Sequence, residues 1–302
     1  MIKRVLLVLL LIFLGWIAWE VITFPDVGKL AKEPPKTTAF MERRKELLRD
    51  QGKDATIRYQ WVSYDRISPY LRRGVLVAED NSFYEHEGVD VKGMKEALEK
   101  NWKRRKVTHG GSTITQQLAK NLYLSPSRNP VRKIREYFIT RALEQELSKK
   151  RILEIYLNVV EMGERVYGAE AAARHYFDKS AKSLTPREAA LLAGCLPNPR
   201  LMNPGKPNKR LRWRQNMILS RMRRWGHLVE SEVLTEKKKE AEKTESVEAP
   251  PTDTAATETT ETTDTTGTTE TTDTSVPEEP ATTVEPPDEE LPPTSTDTAP
   301  PP

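Results

Sequence analysis

Cysteine and histidine are scarce in this 302-residue chain, which has one Cys and four His. Cys195 has no second cysteine to pair with, and the histidines are dispersed without the spacing of zinc ligands. A disulfide scaffold and a zinc enzyme are therefore both excluded. The last 59 residues, from Thr244 to Pro302, contain no Lys or Arg and almost no large apolar side chain, but 15 Asp or Glu, 20 Thr and 11 Pro. Such a segment cannot bury a core and reads as a disordered, self-repelling tail. What remains is 243 residues with 48 Lys and Arg against 29 Asp and Glu, a net charge of +19. That length holds one globular domain of roughly 150 to 200 residues, not a second catalytic domain of similar size. No internal repeat is evident.

Lys3 and Arg4 precede an uncharged run from Val5 to Trp19, and apolar character resumes after Glu20 with Val21, Ile22 and Phe24. As a helix, Val5 to Phe24 reaches about 30 Å, enough for a bilayer if Glu20 lies near the far interface. The leading basic residues predict a cytoplasmic N-terminus, and Trp16 and Trp19 suit the outer interfacial belt. No small-x-small cleavage site follows Leu14 to Glu20, which favours an uncleaved anchor over a signal peptide.

Helix-period patterns dominate from residue 68 onward. Ser68 and Pro69 mark N-cap and first turn of a helix running toward Glu79. Further helices are predicted at 92–104, 113–122, 131–147, 149–160, 168–177, 186–195 and 208–225. Only Ile57 to Tyr64 looks extended, so the fold class is mainly α.

Three stretches carry chemistry. In Ala78-Glu79-Asp80-Asn81-Ser82-Phe83-Tyr84-Glu85-His86-Glu87-Gly88, acids, a histidine and aromatics crowd a helix end. The negative end of the helix dipole and burial beside Phe83 would raise the pKa of Glu79, the direction a general base needs; adjacent acids also occur as plain solvated helix ends. In Gly110-Gly111-Ser112-Thr113-Ile114-Thr115-Gln116-Gln117-Leu118-Ala119-Lys120-Asn121, two glycines lead into a helix that Ser112 or a neighbour caps. Thr113, Gln117 and Lys120 then share one face, suited to pyrophosphate or sugar, or form an ordinary polar surface. The order Gly-x4-Gly-Lys-Ser/Thr is absent, so this is no nucleotide-triphosphate loop. In Arg132-Lys133-Ile134-Arg135-Glu136, Arg132 and Glu136 lie four residues apart on one face, a spacing also common in surface ion pairs.

Together these blocks resemble the family 51 glycosyltransferases, the peptidoglycan glycosyltransferases. The likeness runs from Glu79-Asp80-x-x-Phe83-x-x-His86-x-Gly88 through residues 110–117, Lys120-Asn121 and Arg132-Lys133-x-x-Glu136. It continues through Ile152-Leu153-Glu154-x-Tyr156-Leu157-Asn158, Tyr167-Gly168-Ala169-Glu170 and Leu192-Ala193-Gly194, with the family's 57-residue step from Glu79 to Glu136. The flanks Asp26-Val27, Pro35-Lys36-Thr37-Thr38-Ala39-Phe40-Met41 and Trp61-Val62 are similar to monofunctional biosynthetic transglycosylases of Gram-negative bacteria. Consistently, Ser-x-x-Lys and Lys-Thr-Gly, which a serine transpeptidase requires, are absent. Cys195 and the acidic tail depart from the family pattern.

The resemblance implies a lysozyme-like helical lobe plus a small membrane-proximal lobe to which residues 89–109 contribute, with Trp102 and Lys103-Arg104-Arg105-Lys106 facing anionic headgroups or pyrophosphate. It divides the chain into a transmembrane anchor (1–24), a linker (25–55), the glycosyltransferase domain (56–230) and a charged connector with disordered tail (231–302). The implied activity is polymerisation of lipid II into β-1,4-linked glycan with inversion and release of polyprenyl diphosphate. Glu79 is then the general base and Glu136 assists diphosphate departure, directly or by holding a divalent cation, Mg or Mn. Arg132, Lys120 and Lys133 compensate the leaving charge; Ser112, Thr113, Gln117 and Asn121 orient substrate oxygens; Asp80, Phe83 and His86 shape and support the base. The implied location is the cell inner membrane, single-pass, with the domain on the periplasmic face. Partners are lipid II, the growing glycan, the membrane and cell-division or elongation-complex proteins, not nucleic acid. Two rivals stand beside this. A lytic hydrolase would explain Glu79 but not the basic and amide set, and a tethered polymer-binding domain would explain only the +19 charge.

Overall fold

Helix α1 (Ile2–Ile22) opens the chain in the computed structural model, which describes residues 2–104, 111–126, 129–226 and 228. Its stretch Ile2–Glu20 is long and apolar enough to cross a membrane, and none of it is buried against protein. The charged connector and acidic tail (231–302) and residues 105–110, with Arg105 and Lys106 of the basic stretch, lie outside the described residues.

The segment 25–55 departs from the expected linker. It holds a 3-10 turn at Gly28–Ala31 and helix α2 (Ala39–Asp50), whose N-cap Thr38 accepts a hydrogen bond from the Met41 amide at 3.1 Å. Met41 of α2, with Val27 and Leu30 before it, belongs to the hydrophobic core cluster, and Leu48 of α2 is buried as well. Seven charged residues between Met41 and Gln51 dilute the apolar signal of a helix that buries only a narrow stripe.

Strand β1 (Arg58–Tyr59) is all that pairs of the extended stretch predicted at 57–64, and a 3-10 turn follows at Tyr64–Arg66. From there the helices fall within one or two residues of their predicted limits: α3 (Pro69–Glu79), α4 (Val91–Arg104), α5 (Ile114–Tyr123), α6 (Pro130–Glu146) and α7 (Lys149–Val159). After strands β2 (Glu161–Gly163) and β3 (Val166–Tyr167) come α8 (Ala169–Phe177), α9 (Pro186–Cys195) and α10 (Lys209–Arg224). Side-chain caps start most of them: Ser68 on α3, Asn129 on α6, Ser148 on α7 and Asn208 on α10, with reciprocal capping boxes Thr113/Gln116 on α5 and Thr185/Glu188 on α9.

The strands form a small sheet in the order β1-β3-β2, β1 parallel and β2 antiparallel to β3. Gly168 then turns the chain into α8 at φ 82°, where a β-carbon would lie 2.1 Å from the Asn158 carbonyl oxygen, so no other residue fits. Two helix layers set up the site. In one, α3, α9 and α10 pack together, with Gly74 of α3 facing Ala193 of α9. In the other, α5 lies against α6 and α7, burying Ile114, Leu118, Ala119 and Leu122. The end of α3, which carries Glu79, is thereby brought against α5 and α10.

Candidate active site

The last residue of α3 is Glu79, and its carboxylate is held from two sides. Gln117 Nε2 on α5 donates to Oε2 at 3.1 Å, and Arg214 Nη2 on α10 stands 3.5 Å from Oε1. Gln117 is itself fixed, because the hydroxyl of the fully buried Tyr156 on α7 donates to its Oε1 at 2.8 Å. Burial pushes the Glu79 carboxyl above its ordinary value; the Gln117 hydrogen bond and the Arg214 and Lys120 charges oppose that rise without cancelling it, and neighbouring Asp80 adds to it. A carboxylate of raised basicity is the result, as the helix-end position of Glu79 predicts.

Asp80, Phe83 and His86 are drawn inward. Asp80 accepts from the Ile114 amide at 2.9 Å, at the first turn of α5, and its other oxygen meets His86 Nε2 at 3.0 Å. The Gly88 amide donates to His86 Nδ1 at 3.1 Å, which places the ring proton of a neutral imidazole on Nε2, facing Asp80. Phe83 is fully buried, edge-on to His86, with the Lys149 ammonium 4.5 Å from its ring centroid. Lys149 also donates to the His86 carbonyl at 2.6 Å and to Glu144 Oε1 at 2.8 Å. The loop after Glu79 is thus locked to α5, α6 and α7.

The polar face expected on α5 is divided. Thr113 is the N-cap and is buried: its hydroxyl donates to the Gly88 carbonyl at 2.6 Å and accepts from the Gln116 amide at 3.2 Å. Gln117 turns to Glu79, as above. Asn121 is buried, and Ser112 is exposed beside a cleft of about 170 Å3 that Glu79, Asp80, Ser112, Thr113, Asp90 and Met94 help to line.

Glu136 on α6 is buried and does not line that cleft. Its oxygens meet two cations, Arg132 Nη1 at 3.0 Å and the Lys133 ammonium. Arg132 Nε is buried with no protein acceptor. Lys120 lies within the field of both carboxylates: burial lowers its pKa, the Glu136 charge opposes that most strongly, and the Glu79 charge acts in the same sense. Its ammonium lies 5.6 Å from the Phe40 ring centroid, so the former linker contributes to the site. Glu136 is the carboxylate that meets Arg132 and Lys133, and among the described residues no group of three or more His, Cys, Asp and Glu is placed to hold a metal ion.

Arg214, Tyr156 and Lys149 were not among the expected site residues. Arg214 is 135 positions from Glu79 and sits in a helix crowded with arginines, so no local pattern separates it from its neighbours. Tyr156 belongs to the Ile152–Asn158 block, where apolar neighbours mask its polar role.

A basic carboxylate lining a polar cleft, with a second carboxylate set among cations and a half-buried lysine within the field of both, is the equipment of an acid–base enzyme working on a substrate that sheds negative charge. The transglycosylase family model matches residues 45–223, beginning inside α2. Biosynthetic peptidoglycan transglycosylases of Nitrosospira multiformis and Methylobacillus flagellatus are 50% and 46% identical to the chain, over 62% and 72% of its length and 82% and 92% of theirs. That of Aromatoleum aromaticum is 50% identical over 65% of this chain and 84% of its own. The chain belongs to the transglycosylase family and is a glycosyltransferase of peptidoglycan biosynthesis.

Proposed function

We propose that the chain polymerises lipid II, taking a glycan linked through diphosphate to a polyprenyl lipid as donor and the sugar 4-hydroxyl of lipid II as acceptor. The observation that carries this reading is Glu79: a buried carboxylate with raised pKa, oriented at both oxygens. The acceptor oxygen forms a bond to the donor's anomeric carbon while the bond from that carbon to the diphosphate oxygen breaks. The hydroxyl proton passes to Glu79, the electron pair leaves with the polyprenyl diphosphate, and attack opposite the leaving group inverts the centre. Arg132, Lys133 and Lys120 compensate the growing negative charge, and Glu136 holds Arg132 and Lys133 in place for it. The unpartnered Arg132 Nε supplies a donor that a diphosphate oxygen would satisfy.

Ser112 at the cleft edge and Asn121 on α5 serve to orient sugar or phosphate oxygens. Asp80, Phe83, His86 and Thr113 act by holding the base and the start of α5 rather than by touching substrate, which their burial supports. The helical body corresponds to the lysozyme-like lobe. α4, with Val91, Met94, Leu98 and Trp102 exposed along one face, is the membrane-proximal element. Lys3 and Arg4 on the cytoplasmic side of α1 would put the domain on the periplasmic face of the inner membrane.

Turnover of lipid II by the detergent-solubilised protein, beside a Glu79→Gln variant, tests the reading. Long lysozyme-digestible chains from the wild type and none from the folded variant are expected. Equal turnover by both removes Glu79 as the base, and release of soluble fragments from purified cell wall would mark a hydrolase instead.

A further inference from the structure

We infer that Arg214 on α10 is the positioning residue of Glu79, fixing one carboxylate oxygen for proton abstraction and keeping the group ionised at working pH. This rests on the reading of Glu79 as the general base. The Arg214 guanidinium is anchored before it reaches Glu79: its Nε donates to the Gly194 carbonyl at 2.8 Å, near the end of α9. A β-carbon at 194 would lie 3.0 Å from Leu211 Cδ1, so the glycine lets α10 pack closely here, and 3.5 Å from Arg214 Cβ, an ordinary contact. With Nε committed to α9, the Nη2 end is aimed at Glu79 by the packing of α3, α9 and α10 rather than by chance rotamers. Both side chains are largely withdrawn from solvent, 17% exposed for Arg214 and 13% for Glu79.

The length of the contact bears on its role. At 3.5 Å the guanidinium is beyond ordinary N–H···O hydrogen-bond range, so it acts as an ion-pair partner and leaves a lone pair on Oε1 for an incoming hydroxyl. A tight bidentate fork would occupy both oxygens and depress basicity. Gln117, by contrast, makes a true hydrogen bond to Oε2, so the two oxygens are inequivalent and Oε1 is the one that takes the proton. The groups facing Glu79 are Asp80 on its own chain segment, Lys120 on α5, Tyr156 on α7, Cys195 on α9 and Arg214 on α10. Burial raises the pKa of the tyrosine and of the cysteine, so both are neutral at working pH. Arg214 and Lys120 are thus the two cations that favour the ionised base, Arg214 ranking above Lys120.

The test is the pH dependence of lipid II polymerisation by wild type, Arg214→Gln, Arg214→Met and Arg214→Lys, with thermal melts alongside. Loss of a cation this close to a carboxylate is expected to move the acid limb of the rate profile upward by about 1 pH unit, some tenfold in rate at a fixed pH on that limb. The two neutral variants should share the shift, and Arg214→Lys should restore most of it. An unmoved acid limb in whichever neutral variant folds, or a lysine variant shifted as far as the neutral ones, overturns the inference. A general loss at every pH that follows the melting temperature also overturns it, because it marks packing alone. Glu79→Gln in the same assay separates the two levels. If that variant turns over, the reading of Glu79 fails; if it is inactive while the Arg214 profiles stay unmoved, only the role of Arg214 fails.

Discussion

Arg135 on α6 donates to Glu20 Oε2 on α1 at 2.5 Å, and the same guanidinium donates to the Thr23 carbonyl at 2.6 Å. An acid that follows an uncharged apolar run, as Glu20 follows Val5 to Trp19, is costly beside a bilayer unless it is paired. Here its partner belongs to the helix that carries Arg132, Lys133 and Glu136. The last turn of α1 is therefore tied to the helix that carries the cationic half of the site, and with α1 in a bilayer this tie would set how far the site stands from the plane of the lipid.

A consequence is that Arg135→Ala should impair turnover more in proteoliposomes than in detergent micelles. Misplacing a reacting group by about an ångström costs on the order of 100-fold. A bilayer presents the diphosphate at a fixed depth, whereas a micelle adjusts around the protein. Rates of lipid II consumption in the two settings decide the point, and an equal fall in both would show that Arg135 supports the domain without setting its height.

Glu79 should give the rate an acid limb above the ordinary glutamate value of about 4.3. The sign follows from its role. As a base it must be deprotonated, burial raises its pKa, and activity is lost as pH falls through that raised value. A pH–rate profile under saturating lipid II checks this, and a flat rate down to the ordinary carboxylate range would argue against Glu79 as the titrating base.

Thr113→Ala separates local structure from substrate contact. The helical spacing of Thr113, Gln117 and Lys120 predicts a shared ligand face, but Thr113 sits outside the first helical residue, where a hydroxyl caps the helix instead of projecting from it. Removing the cap should cost about 1 kcal/mol of stability. Turnover per folded molecule should change little, as read by a denaturant melt beside the assay. A large rise in KM without loss of stability would return Thr113 to the substrate surface.

Thr113 also illustrates what the sequence makes legible. Helices from α3 to α10 stand out because of their apolar stripes, and most of their starts carry Ser, Thr or Asn caps, with Pro in the first turn of three of them. α2 does not, because its stripe is narrow and its flanks are charged, and β2 and β3 are too short to display alternation. Glu79, Asp80 and Gln117 come together as motif spacing implies, since each lies at a helix end or first turns that packing brings into register. Arg214 and Lys149 become visible only when α10 and α7 fold back on α3 and its following loop, a long-range event with no local trace.

Arg132 and Lys133 should differ although both contact Glu136. The Arg132 side chain is 19% exposed and carries a buried Nε without a protein acceptor, whereas the Lys133 side chain is 51% exposed. A solvated lysine is screened by water and gives little to a transition state, while a withdrawn, pre-oriented guanidinium meets developing charge without reorganisation. Arg132→Ala should therefore lower kcat by about 100- to 1,000-fold, comparable with removing one oxyanion donor. It should also reduce stability, because Glu136 keeps only one exposed counter-charge. Lys133→Ala should act more weakly on kcat and leave the melt nearly unchanged. Should Lys133 prove the more damaging loss in kcat, the leaving diphosphate lies on the outer side of α6, and the burial of Arg132 serves Glu136 alone.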